Sequence, residues 1–78
     1  MRDLSVPVPT PRALGRVIRA HRQEHGLTIE ALADKAGVHP TYLSDIERGR
    51  GNPSVAKLTD LAVALETRVS QLIYEAES

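Results

Sequence analysis

The segment of residues 29–48 constrains this chain more than any other part of its sequence. Its residues, IEALADKAGVHPTYLSDIER, predict two short helices joined by a tight turn at Gly37, with Val38 between them. Apolar residues recur at helical spacing on both sides of the turn. They are Leu32, Ala33 and Ala36 in the first helix, and Leu43 and Ile46 in the second. Two helices joined in this way can seat the second one in the major groove of DNA.

The composition limits the chain to one small domain with an aliphatic core. A chain of 78 residues lies near the size at which a single core is only marginally stabilising, so a partner subunit would help. The absence of Cys, Phe and Trp excludes disulfides and thiolate chemistry and leaves Leu, Ile, Val and Ala to form the core. No apolar run approaches the ~20 residues of a membrane span, and no signal peptide is recognisable. We therefore predict a cytoplasmic protein with no membrane partner.

The charge balance is the main observation against a nucleic-acid partner. Ten basic residues equal ten acidic ones, whereas a strongly basic domain is the usual electrostatic footprint. The distribution is nevertheless uneven. Residues 1–50 hold eight basic and six acidic side chains, and residues 51–78 hold two basic and four acidic ones. The positive half of the chain therefore contains the predicted helix-turn-helix.

Residues 1–10 differ from the rest of the chain. Pro7 and Pro9 oppose a helix and favour extended backbone in the residues before them, so we predict a short flexible N-terminal arm. Two interpretations stay open for it: a disordered tail, or an arm that packs on a partner subunit or reaches along DNA. Residues 11–78 form the predicted domain.

Five helices are predicted within that domain, and no run has the alternation typical of a strand. Hydroxyl N-caps precede the first, second and fourth helices, and a proline opens the first and the third. The predicted ranges are 11–25, 29–36, 40–48, 55–65 and 68–75. Outside the segment of residues 29–48, the predicted core residues are Leu14, Val17, Ile18 and His21 in the first helix, Val55, Leu58, Leu61, Ala62 and Leu65 in the fourth, and Val69, Leu72 and Ile73 in the fifth.

The three histidines are the residues that could suggest catalysis or a metal site. His21 and His25 lie four residues apart on the first helix but lack the carboxylate of an HExxH arrangement, and His39 is expected to cap the third helix. We therefore predict no enzyme, no metal, no cofactor and no small-molecule ligand. For His21 two interpretations stay open: a histidine whose polar atoms are satisfied in the core, or a pH-sensitive contribution to stability.

Several short motifs follow one another along the chain. They are Gly26-Leu27-Thr28, Leu32-Ala33, Ala36-Gly37-Val38, Tyr42-Leu43-Ser44, Ile46-Glu47-Arg48-Gly49, Asn52-Pro53-Ser54 and the spaced set Leu58, Leu61, Ala62 and Leu65. Their combination resembles the phage-repressor-like helix-turn-helix family of the Cro/CI or XRE type, including restriction–modification controller proteins. The resemblance implies an all-α, compact five-helix domain like that of lambda repressor. It also implies a nucleoid-associated transcriptional regulator, such as a repressor, that binds a palindromic operator in double-stranded DNA as a homodimer.

The resemblance makes the third helix the recognition helix. The residues that would face base edges are Pro40, Thr41, Ser44 and Asp45. Asp45 can only accept hydrogen bonds while ionised, so it suits the amino group of cytosine or adenine; a solvent-facing role outside the groove stays open. The expected phosphate contacts are Thr28, Tyr42, Arg48, Arg50, Asn52 and Lys57, with plain solvent exposure as the alternative for Arg50 and Lys57.

The resemblance also implies an ion pair between Arg22 and Glu47 that joins the first helix to the recognition helix, and we expect it to be at least partly buried. Three residues depart from the family pattern. Ile29 replaces a common Gln and so removes a hydrogen-bond donor, His21 replaces a common Leu, and Ala31 replaces a frequent Glu, which removes the capping box. The predicted dimer interface consists of Thr67, Val69, Leu72, Ile73 and Tyr74.

An alternative function is a protein-interaction module on the same fold, either antitoxin-like or a cofactor of transcription. The zero net charge and the acidic Asp45 on the expected recognition helix motivate it. A gel shift on DNA distinguishes the two functions, because only the regulator must bind DNA at low salt.

Overall fold

The computed structural model describes residues 9–77, and all regular structure in that range is helical. The five helices are α1 (Pro11–Glu24), α2 (Ile29–Ala36), α3 (Pro40–Glu47), α4 (Val55–Ala64) and α5 (Val69–Ala76). The predicted all-α, five-helix fold is confirmed, with every boundary within one residue of its expected position. Most of the predicted arm lies outside the described residues. Within residues 9–77, no helix is long and apolar enough to cross a membrane.

Side-chain caps begin four of the five helices in the described chain. The hydroxyl groups of Thr10, Thr28 and Ser54 accept hydrogen bonds of 3.0, 3.0 and 3.2 Å from backbone N–H groups three residues later. The Nδ1 atom of His39 accepts the N–H of Thr41 at 3.1 Å. Each cap satisfies a donor that the first turn of a helix leaves unpaired, so the local sequence fixes where these helices start.

The turn between α2 and α3 depends on Gly37. Its φ of 71° is left-handed, a conformation that glycine adopts without a Cβ clash. The N–H of Val38 then donates to the carbonyl of Ala33 at 2.9 Å, and its side chain packs half-buried against the core. The helix-turn-helix expected for residues 29–48 is therefore confirmed.

The core is aliphatic and draws on every helix. Among the described residues every member of the core is apolar, and no buried side-chain nitrogen or oxygen lacks a hydrogen-bond partner. The largest completely buried side chains are Ile18 of α1, Leu32 of α2, Leu43 of α3, Leu61 of α4, Leu65 directly after α4, and Leu72 of α5. Replacing any of these leucines by alanine should cost about 2–5 kcal/mol.

The prediction that Val55 is buried was wrong. Its side chain is 78% exposed, because it occupies the first position of α4 and lies to one side of the stripe formed by Leu58, Leu61 and Leu65. Ala64, which the sequence did not assign to the core, is buried. Four other predicted core residues are only half-buried at the edge of the core: Val17, His21, Val69 and Ile73.

Helix α1 lies between α3 and α5, while α2 packs on α3 and α4, and α4 on α5. Polar contacts mark the junction of α1 with the C-terminal part of the chain. The Nε2 atom of His21 lies 3.0 Å from a carboxylate oxygen of Glu75, and that of His25 lies 3.4 Å from one of Glu66. The His21 ring thus has a polar partner, and a carboxylate partner fits both interpretations of this histidine. Hydrogen bonds from Gln71 and then from His21 hold the pKa of the Glu75 carboxyl below its ordinary value.

Candidate nucleic-acid interface

The four residues predicted to face base edges share one side of α3. They are Pro40, Thr41, Ser44 and Asp45. Positions three and four residues apart lie on the same side of a helix, and Leu43 and Ile46 occupy the buried side. Thr41 is exposed and the other three are half-buried. The outer side of α3 therefore turns a small, mostly polar surface away from the core.

The predicted phosphate contacts lie on different elements of the chain. Arg48, Arg50, Asn52 and Lys57 are exposed, and all but Lys57 precede α4 in the chain. Tyr42 is half-buried and packs against the core, so only part of its ring is accessible. The Thr28 hydroxyl already accepts the N–H of Ala31 but keeps its own hydrogen to donate.

An ion pair fixes α3 to α1. The guanidinium group of Arg22 donates from Nε to one carboxylate oxygen of Glu47 at 2.7 Å and from a terminal nitrogen to the other at 3.0 Å. The two side chains are only 13% and 6% exposed. The expected ion pair is therefore present, and it is mostly buried. Hydrogen bonding to Glu47 raises the pKa of Arg22 further above its ordinary value. Another terminal nitrogen donates to the carbonyl of Leu27 at 2.9 Å, so one side chain joins α1, the turn before α2, and α3.

A close backbone approach next to this pair was not predicted. A Cβ added at Gly15 would lie 2.7 Å from the carbonyl oxygen of Glu47 and would overlap that of Ile46. Only glycine therefore lets α1 and the end of α3 come together here. The signal available in the sequence was a glycine in the middle of a helix, where it costs about 1 kcal/mol relative to alanine and so indicates a packing reason.

A shallow depression of about 200 Å³ lies where α1, the start of α2 and the end of α3 meet. We call it the arginine notch, and its lining residues are Arg19, Arg22, Ile29, Ser44, Glu47 and Arg48. Ile29, which replaces the common Gln of the family, is half-buried and packs against the core. Arg19 was not predicted to belong to the site, because nothing in its neighbourhood along the chain indicates that it faces α3.

The residues predicted to form a dimer interface do not all have accessible surface. Leu72 is completely buried in the core and has no surface for a partner subunit to contact. The prediction that it belongs to the dimer interface was therefore wrong. Thr67, Val69 and Ile73 are half-buried, and Tyr74 is exposed. The inner side of α5 is thus used by the fold, and the partly exposed residues form the remaining candidate surface.

No group of three or more His, Cys, Asp or Glu residues in the described part of the chain could hold a metal ion. The arrangement left by the structure is a helix-turn-helix whose second helix exposes a polar surface. Cationic side chains lie beside this polar surface, and a buried ion pair holds the helix that carries it. These features place the chain in the class of helix-turn-helix domains.

Comparison with known families agrees with this class. Residues 18–72 match the helix-turn-helix family HTH_3, and the chain belongs to this XRE-type family. It is 42% identical over 66 residues to the HTH-type transcriptional regulator SlrR of Bacillus subtilis, with 83% of the chain covered. It is 45% identical over 62 residues to the immunity repressor protein of Bacillus phage phi105, with 80% covered. The chain spans 43% of the length of each of these two relatives.

Solved structures show the same fold. The clp gene regulator ClgR from C. glutamicum is 38% identical with a TM-score of 0.82, covering 90% of this chain and 91% of that one. The restriction–modification controller protein C.AhdI from Aeromonas hydrophila is 32% identical with a TM-score of 0.78, covering 80% and 94%. The biofilm regulator SinR in complex with DNA is 40% identical with a TM-score of 0.73, covering 76% and 95%. These proteins are named as regulators, repressors and controllers, which confirms the expectation that the family is not one of enzymes.

Proposed function

We propose that this chain is a sequence-specific DNA-binding transcriptional regulator that acts as a homodimer on a palindromic operator. The observation that carries the proposal is the polar surface of α3, which faces away from the core on a helix held by a buried ion pair. A relative with 40% identity has been solved in complex with DNA. Its working location would be the nucleoid in the cytoplasm.

Base readout is assigned to the outer side of α3. The Thr41 hydroxyl can donate to or accept from several bases, whereas the Asp45 carboxylate only accepts and favours an amino group of cytosine or adenine. Pro40 and Ser44 complete this surface, with Ser44 at its border with the arginine notch. Because Asp45 also repels phosphates, it contributes to specificity more than to affinity.

Positioning on the DNA backbone is assigned to the surrounding residues. Cationic and amide side chains in this role add affinity without reading sequence. A dimer that contacts six to ten phosphates should lose about 10³–10⁵-fold in affinity between 50 and 200 mM salt. The proposed contacts are Thr28, Tyr42, Arg48, Arg50, Asn52 and Lys57.

Dimerisation is assigned to the accessible parts of α5 and of the residues before it. A single helix-turn-helix reads few base pairs, and a two-fold dimer spaces two recognition helices by one turn of DNA, about 34–36 Å. Tyr74 offers the largest exposed apolar surface of α5, next to the half-buried Ile73 and Val69. Thr67 lies just before this helix and belongs to the same proposed surface.

The test is selection of bound duplexes from random DNA, followed by affinity measurements on the selected site and on a scrambled duplex. We expect a palindromic consensus, tighter binding to it than to the scrambled duplex, and loss of that preference in Thr41→Ala and Asp45→Ala. Each lost base contact should cost about 1–3 kcal/mol. The exposed Asp60→Asn on α4 serves as the matched control, with unchanged preference.

The opposite result is equally defined. A folded protein that shifts no duplex at low salt contradicts the proposal and favours the protein-interaction module, which the zero net charge motivates. A monomeric complex on one half-site contradicts the homodimer alone.

A further inference from the structure

We infer that the arginine notch is a seat for one backbone phosphate of DNA, held by Arg19 of α1 together with Arg48 at the end of α3. This inference rests on the proposed function and adds a binding residue on a helix outside the helix-turn-helix. The notch combines side chains from α1, α2 and α3 in one shallow depression, open enough for a phosphate at the protein surface.

The charge of the notch fits an anion. Three guanidinium groups and one carboxylate line it, which leaves an excess of two positive charges. Glu47, the carboxylate, has both oxygens engaged by Arg22 and is 6% exposed, so its charge is compensated where it lies. Arg19 and Arg48 are exposed, and their guanidinium groups make no hydrogen bond or ion pair with other described residues, so both remain available to a ligand.

The position of Ile29 explains why an arginine from α1 is needed. Ile29 occupies the notch at the first position of α2, where it can donate no side-chain hydrogen bond. Its half-buried side chain packs on the core and gives the notch an apolar wall. A phosphate in the notch therefore depends on charge from the two flanking arginines, and Arg guanidinium binds phosphate through paired N–H donors.

The location fits the path of DNA past α3. Ser44 lines the notch and lies three residues after Thr41 on the helix. A phosphate held between Arg19 and Arg48 would thus lie beside the base-reading surface. It would limit how deeply α3 enters the groove on the side of α1. The contacts expected from Asn52 and Lys57 come instead from residues that follow α3 in the chain.

The experiment compares Arg19→Gln, Arg19→Lys and Arg16→Gln with the wild type on the selected duplex and on the scrambled duplex, over a series of salt concentrations. Arg16 is the matched control, because it is an exposed arginine of the same helix that lines a groove against α5 instead. Circular dichroism verifies that all variants are folded. We expect Arg19→Gln to reduce the slope of log K against log salt by about 0.9 per protomer, equally on both duplexes, because phosphate contacts carry no sequence information.

Arg19→Lys should keep most of the salt slope, and Arg16→Gln should keep all of it. If wild type and Arg19→Gln bind DNA with the same salt slope, the inference is wrong and the proposed function is unaffected. A wild type that binds neither duplex overturns both. Replacing single phosphates by neutral methylphosphonates gives a second readout: one substitution should weaken the wild type and leave Arg19→Gln unaffected, and no such position would also overturn the inference.

Discussion

Helix α1 has a neighbour on each side, and its two junctions are built differently. Towards α3, the backbones touch at Gly15, and Arg22 and Glu47 form an ion pair whose side chains are 13% and 6% exposed. Towards α5, the polar contact is between His21 and Glu75, whose side chains are 15% and 35% exposed. One junction is closed by a buried guanidinium–carboxylate pair and direct backbone contact, the other by an imidazole ring and a partly solvated carboxylate.

The two junctions of α1 should respond differently to changes in pH and salt. A guanidinium group keeps its charge at every pH at which proteins fold, and buried pairs are only weakly screened by salt. The contact at α5 depends on pH, because the pKa of the Glu75 carboxyl is lowered in the folded chain, and on salt, because this carboxylate is partly solvated. The orientation of α3 should therefore be less sensitive to salt than the attachment of α5, the helix proposed to form the dimer.

The largest expected effect comes from breaking the buried pair. Glu47→Ala leaves the Arg22 guanidinium mostly buried without its partner, and we expect the free energy of unfolding to fall by roughly 3–5 kcal/mol. That is a large part of the total for a domain of 78 residues, at about 0.05–0.15 kcal/mol per residue. Urea unfolding followed by circular dichroism measures it.

The matched control for this variant removes both charges. A chain with Arg22→Met and Glu47→Leu should recover most of the lost stability, because no unpaired charge remains buried. If Glu47→Ala costs less than about 1 kcal/mol, as exposed pairs do, the contrast between the two junctions disappears.

The next effect comes from the backbone contact. Gly15→Ala gains about 1 kcal/mol of helix propensity, but its Cβ would meet backbone carbonyls that cannot rotate away, and overpacking costs about 1–3 kcal/mol. We expect a net loss of stability together with weaker DNA binding, since α3 must shift. Ala20→Gly, on the groove between α1 and α5, should lose about 1 kcal/mol through propensity alone. A stabilised Gly15→Ala protein would contradict the close approach.

A smaller effect is expected at the α5 junction. The pKa of Glu75 is lower in the folded chain than its ordinary value, so its ionised form stabilises the fold above the unfolded pKa of about 4.3. This stabilisation is lost as the pH falls through the folded pKa. Wild type should exceed Glu75→Gln by about 0–1 kcal/mol at neutral pH, and the two should converge in acid.

Urea unfolding at a series of pH values measures this convergence. High salt should also reduce the difference, because the carboxylate is partly solvated. Asp60→Asn, which removes an exposed carboxylate of α4, is the control and should cost nothing at neutral pH. A constant difference between wild type and Glu75→Gln at all pH values would show that packing, not charge, holds α5.

The smallest effect concerns the link between α4 and α5. Glu66 has a φ of 57°, the left-handed region that costs non-glycine residues about 1–2 kcal/mol. Glu66→Gly should raise the free energy of unfolding by up to about 1 kcal/mol, even though it deletes the contact with His25. Thermal unfolding measures the change, and a lower midpoint would mean that this exposed contact outweighs the backbone strain.

Local chemistry explains how much of the fold was predictable. Hydroxyl caps such as Thr28 and stops such as Gly37 act within a few residues, so they indicate the helix boundaries directly. Periodicity gave most of the core but placed Val55 inside it, because spacing along a helix cannot show where the neighbouring elements end.

The site was predictable only where a family motif carried it. The partners Arg22 and Glu47 came from the resemblance, because two residues 25 positions apart leave no local signal of contact. Gly15 and Arg19 were missed for the same reason. Their roles depend on how closely α1 approaches α3, a distance that neither helix encodes alone.

The separation of Arg22 and Glu47 along the chain also has a kinetic consequence. An ion pair between residues 25 positions apart closes only when both helices have formed and docked, so we expect it to be absent from the folding transition state. Deleting it should then leave the refolding rate nearly unchanged and accelerate unfolding. The pair should then lengthen the lifetime of the native state without changing how fast that state forms.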